Sequence, residues 1–100
     1  MNEARLYVDF NEMIENDLVL LSKTDIKKDS QGNEIELKEG LKVKIYCEDT
    51  DENDNDDYLL AEGVVERNIY SEIYSWTSNA KWNCRINERG IYHESDDMKV

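Results

Sequence analysis

Leu41, Val43, Ile45 and Cys47 alternate with Lys42, Lys44 and Tyr46. A period of two puts the first set on one face of an extended chain and the second on the other. The pattern returns at Ala80, Trp82, Cys84 and Ile86, interleaved with Lys81, Asn83, Arg85 and Asn87. These two stretches predict half-buried strands, and the chain must supply partners for both. The longest apolar run, Leu18 to Leu21, has only four residues. It is too short to span a bilayer as a helix, which takes about 20.

The remaining segments read mostly as further short strands. Leu6, Val8 and Phe10 alternate as a first strand. Residues 11–17 are polar around Met13 and Ile14 and predict a turn or one helical turn. Residues 17–23 predict a second strand, apolar enough to be covered on both faces. Residues 28–33 form a turn cluster with Gly32 available for positive φ. Ile35 and Leu37 restart the alternation, and Glu39-Gly40 turns the chain into 41–47. Leu59, Ala61, Gly63 and Val65 predict the inner face of another strand, with Gly63 marking a bend or bulge. Residues 87–90 form a tight turn with Gly90 at the left-handed position, before Ile91 and His93. Glu94 opens a polar tail, 94–100, expected to fray.

Turn signals every 8–15 residues predict an all-β fold: a single small antiparallel barrel of five to seven short strands, with a short helical turn. One hundred residues suit one domain. Residues 37–46, with Glu39-Gly40 feeding Val43 and Ile45, resemble the first strands of small SH3-like β-barrels of the kind found in small bacterial proteins. Residues 61–65, 82–86 and 90–91 extend the resemblance over about 37–93. It implies a fold and carries no functional motif with it.

Twenty-four carboxylates against twelve Lys and Arg give a net charge of −12. Nucleic-acid binding needs a basic footprint, and anionic membrane surfaces attract basic segments, so neither partner is expected. Seven of the carboxylates lie within residues 48–57, which hold no base. That segment carries more than half of the excess.

The spacing of Asp51, Asn53, Asn55, Asp57 and Glu62 follows an EF-hand calcium loop at positions 1, 3, 5, 7 and 12. Position 6 is Asp56 in place of the usual Gly, position 9 is Leu59, and the flanks read as strands where that motif uses helices. The expectation is a solvated acidic hairpin loop, with a weak calcium site as the alternative and recognition of a basic partner as the third reading.

Cys47 and Cys84 lie far apart, and His93 is the single histidine. No short ligand spacing points to zinc. The thiols are expected to be reduced and buried, continuing their apolar strand faces in a cytoplasmic protein. No nucleophile elbow and no Gly-rich phosphate loop is present, so no enzyme, catalytic residue or cofactor is expected.

Tyr70, Tyr74 and Trp76 sit with Ile69 and Ile73 in the connection 68–79. Ile69, Ile73 and Trp76 match helical spacing and predict one turn packed on the barrel. Two readings stand: aromatics closing a barrel end, or an exposed patch in which Tyr70, Tyr74 and Trp76 bind a partner. The functional expectation is a non-enzymatic protein-interaction domain, monomeric or weakly dimeric. An acidic inhibitor or immunity-type protein covering a basic partner is its concrete form. A metal-responsive module using the 51–62 loop is the alternative.

Overall fold

The computed structural model describes residues 1–97. The chain is all-β with a single 3-10 turn and one terminal helical turn among the described residues. The strands are β1 (Leu6–Tyr7), β2 (Met13–Glu15), β3 (Leu18–Ser22), β4 (Ile26–Lys28), β5 (Glu34–Glu36), β6 (Lys42–Cys47), β7 (Leu59–Arg67), β8 (Trp82–Ile86) and β9 (Tyr92–His93). The helical turn α1 covers Glu94–Asp97. Part of the expected frayed tail, 98–100, lies outside the described residues.

The main sheet runs β1-β6-β7-β8-β3-β2, with β9 also paired to β7, and β4-β5 form a separate hairpin. It curls into a half-barrel rather than closing. It is mixed rather than purely antiparallel, because β1 runs parallel to β6, with Leu6 opposite Ile45. Among the described residues there are nine strands, seven of them in the main sheet, where five to seven are expected. The extra ones come from residues that composition reads as polar turns. Residues 13–15 pair with β3 across a tight turn at 16–17. Phe10, conversely, lies outside the first strand, which ends at Tyr7.

The alternating faces place the core. Val43 and Ile45 from β6, Ala61 and Val65 from β7, and Trp82, Cys84 and Ile86 from β8 join Leu6, Val8, Val19, Leu21 and Leu37 in one buried cluster. Leu41 packs against it while partly exposed. Each large apolar side chain so buried stabilises the fold by about 1.5–3 kcal/mol. The β3 run is covered on both faces, as its composition predicts. Val19 sits opposite Cys84 on the core side, while Leu18 and Leu20 sit opposite Arg85 and Asn83 on the other.

Two expected positions differ. Cys47 at the end of β6 is half-buried rather than buried, because the strand there runs out of the core toward the acidic loop. Gly63 is no bulge: its pairing with Val43 on one side and Ile86 on the other is continuous. The glycine is needed because a Cβ would run into the Arg85 carbonyl oxygen and the Cys84 Sγ. The bulge lies instead at Gly40, whose N–H, like the Leu41 carbonyl, bonds Val65. Gly40 has φ 87°, the conformation such a bulge requires.

One buried cation ties the sheet to both ends of the chain. Arg5, 5% exposed, donates from Nη1 to the carbonyls of Ile45 and Ala61, each at 3.2 Å, and to Glu62 Oε2 at 2.8 Å. Its Nη2 donates to the Tyr92 hydroxyl at 3.3 Å, and that hydroxyl donates to Glu62 Oε2 at 2.6 Å. Burial works against the Arg5 charge, but the Glu62 and Tyr92 contacts outweigh it and raise the guanidinium pKa.

Candidate functional site

Residues 68–79 leave β7 and return to β8, and their conformation is set by one side chain. Asn68 Nδ2 donates to the carbonyls of Thr77 at 2.9 Å and Ala80 at 2.8 Å. Its Oδ1 accepts from the Tyr70 N–H at 2.9 Å and from Asn83 Nδ2 at 3.3 Å. Asn83 and Thr77 are fully buried. The Tyr70 carbonyl accepts from the N–H groups of Ile73 and Tyr74, and the Tyr74 carbonyl accepts from the Thr77 N–H and Oγ1. Ser75–Thr77 form the 3-10 turn. The backbone polar groups of this loop are thus met largely from within, so the segment is held rather than loose.

Holding the loop this way turns its apolar side chains outward. Ile69 is 72% exposed, Ile73 70%, Trp76 49% and Tyr74 45%. The helical spacing of Ile69, Ile73 and Trp76 predicted packing on the barrel. Instead Asn68 and Thr77 make the anchor, and the three apolar residues face solvent. Tyr70 is half-buried; its ring stacks on Tyr74 at 6.4 Å between centroids, and its hydroxyl donates to Glu15 at 2.7 Å. Bonding to that carboxylate raises the Tyr70 phenol pKa.

Beside the loop, Arg85 is shared among Glu66, Asp17 and Glu15, the shortest contact being 2.8 Å to Asp17. The Glu66 hydrogen bond is the largest cause of its raised pKa. One cation among three carboxylates leaves the flank of the patch negative. The patch and the acidic loop lie at opposite ends of β7.

The acidic loop repeats the design of the β4–β5 hairpin. In residues 29–33, Asp29 Oδ1 accepts from the N–H groups of Gln31 and Asn33, and the Asp29 N–H bonds the Asn33 carbonyl. In residues 51–55, Asp51 Oδ1 accepts from Asn53 and Asn55, and the Asp51 N–H bonds the Asn55 carbonyl. Asp57 binds Ser95 through both carboxylate oxygens, and Glu62 is engaged by Arg5 and Tyr92. The five positions with calcium-loop spacing thus serve three different networks. Among the described residues no three His, Cys, Asp or Glu side chains form a group that could hold a metal ion.

Sequence reasoning missed the anchor. An Asn beyond a strand is common in loops, and nothing in its neighbours distinguishes one with four hydrogen bonds. Among the described residues no helix is long and apolar enough to cross a membrane. Compared with known proteins, the chain matches no family model, no curated protein and no solved structure.

Proposed function

We propose that this chain is a non-enzymatic protein-interaction domain whose contact surface is the face formed by Ile69, Ile73, Tyr74 and Trp76, with Tyr70 behind them. One observation carries the reading. Among the described residues, half of the eight exposed large hydrophobic residues sit on this single loop, fixed by the Asn68–Asn83–Thr77 network. A rigid aromatic anchor loses little entropy on binding, and Tyr and Trp dominate binding hot spots. The carboxylates around Arg85 favour a basic partner, as an inhibitor or immunity-type protein would cover. The acidic loop at the other end of β7 adds long-range attraction and does not join the contact. The fold of 37–93 reads as SH3-like in this proposal, and two free thiols suit a reducing cytoplasm.

The test compares wild-type bait with Tyr74→Ala/Trp76→Ala in pull-downs at low and moderate salt, with circular dichroism on each protein. The double variant is expected to stay folded and lose its partner. Asp54→Asn/Asp56→Asn/Asp57→Asn is expected to keep the partner and show a shallower salt dependence. A folded double variant that captures the same partner equally well overturns the assignment.

A further inference from the structure

A groove of about 500 Å³ is bounded by residues of β1, β3 and β4 and by Asn79 and Ala80. That volume lies within the range of small-molecule sites. Two of the remaining exposed hydrophobic residues, Tyr7 at 46% and Ile26 at 53%, line it. Val8, Leu20 and Leu21 line it as well, all three buried.

Lys23, Lys27 and Lys28 are among its lining residues. Lys27 sits opposite Ile35 in the hairpin ladder, and Ile35 packs on the core, so Lys27 shares the inward-turned face. It is half-buried, and burial alone pulls its ammonium pKa down. Among the described residues none of these three lysines makes an ion pair, whereas Arg5, Lys44, Lys81, Arg85 and Arg89 all do. Burial sets Lys27 apart: among the described bases without an ion pair it alone is half-buried, Lys23, Lys28, Lys38, Lys42 and Arg67 being exposed. A cation that gives up water without a carboxylate nearby is stabilised by an anion brought from outside.

Asp9 and Glu12 line the groove too. Asp9 Oδ1 accepts from the Asn11 N–H at 2.9 Å. These acids repel a polyanion, while a single negative charge can sit at a lysine.

We propose that this groove binds a small amphipathic carboxylate, its anionic head on Lys27 with Lys23 and Lys28 beside it, and its apolar body against Tyr7 and Ile26. One half-buried ammonium fits one carboxylate, and two half-open apolar side chains on the rim fit a short hydrocarbon. The site is separate from the aromatic surface, so either can fail without the other.

The probe is octanoate, titrated into isotope-labelled protein and followed by amide chemical shifts. Saturable shifts are expected at Tyr7, at residues 21–24 and at residues 26–28, with the 69–76 amides unmoved. Acetate is expected to bind at least about tenfold more weakly, lacking the apolar body. Octylammonium is expected to give no saturable shift there. Lys27→Met is expected to weaken octanoate by about tenfold or more and Lys27→Arg to retain it. Three results overturn the proposal: no saturable shift with millimolar octanoate, equal binding of octylammonium, or hexaglutamate occupying the groove in preference to octanoate. The octylammonium comparison uses the wild-type protein, so it decides charge selectivity even if Lys27→Met does not fold.

Discussion

Gly32 and Asp54 occupy the same place in two hairpin loops of one design, each with its backbone in the left-handed region, at φ 85° and 61°. In both loops an Asp three residues earlier accepts the N–H of this residue on its backbone carbonyl, at 3.0 and 3.1 Å. Glycine takes that conformation without steric cost; an L-residue other than Asn or Asp takes it at about 1–2 kcal/mol.

Gly32→Ala is therefore expected to destabilise the fold by about 1–2 kcal/mol, and Asp54→Gly to change it by less than about 0.5 kcal/mol, because an aspartate already takes this conformation at low cost. Asp54→Gly also removes one charge from a crowded loop, so Asp54→Asn separates the two effects. Urea midpoints of the three variants read the result. A destabilised Asp54→Gly would mean that the aspartate side chain contributes more than its backbone costs.

Arg5 offers a larger effect. Removing its side chain takes one donor each from Glu62, Tyr92 and two strand carbonyls, and leaves Glu62 with the Tyr92 hydroxyl. Arg5→Ala is expected to cost about 2–4 kcal/mol in chemical denaturation. Glu62→Gln in the Arg5→Ala background should then cost less than Glu62→Gln alone, because the pair is already broken. Additive costs would show that the ion pair couples nothing.

Gly63→Ala tests close packing in the middle of the sheet. The added methyl meets the Arg85 carbonyl and the Cys84 Sγ, so β7 and β8 must part. Overpacking of this kind costs about 1–3 kcal/mol or more. Since Gly63 is absent from the positive-φ glycines, the cost is steric and not conformational. A thermal midpoint equal to wild type would place the strands further apart than described.

Cys84 should make the protein sensitive to alkali. Its thiol is fully buried, and burial, with Glu66 nearby, pushes its pKa up to about 12 from 9.0. Below pH 9 the thiol is protonated in both folded and unfolded chains, and its contribution is fully present. Above that pH only the unfolded chain loses the proton, so stability falls as pH rises toward 12. The expected slope from this one group is about 1.4 kcal/mol per pH unit. The test is the difference between wild type and Cys84→Ala in urea unfolding between pH 8 and pH 11, which removes the contribution of the tyrosines. A constant difference across that range would refute it. In the same protein, thiol labelling should be slow at Cys84 and faster at half-buried Cys47.

Much of the fold was legible because its faces follow strict alternation. Val43, Ile45, Val65, Trp82 and Ile86 are buried as their spacing requires. What escaped was decided by geometry rather than composition. Residues 13–15 carry no strong strand pattern; they pair because the tight turn at 16–17 brings them against β3. Cys47 shares the parity of Ile45, yet the strand leaves the core before reaching it. At the candidate contact surface the residue types were visible and their direction was not. Ile69, Ile73 and Trp76 fit a helix packed inward until Asn68 is seen to fix the loop the other way.

The pairing of β3 with β8 also sets a timetable for the chain. Leu18 lies against Arg85, and Val19 against Cys84, while β2 alone covers the opposite edge of β3. Synthesis delivers Leu18 to Leu21 long before Trp82–Ile86 emerges. Through that interval the most apolar stretch of the molecule has only a three-residue neighbour, and its second edge waits for Trp82–Ile86. Such distant pairings make folding slow and leave the nascent chain prone to aggregation. The crowding of negative charge in the later-made 48–57 segment comes too late to keep those four residues apart from their counterparts on a neighbouring ribosome.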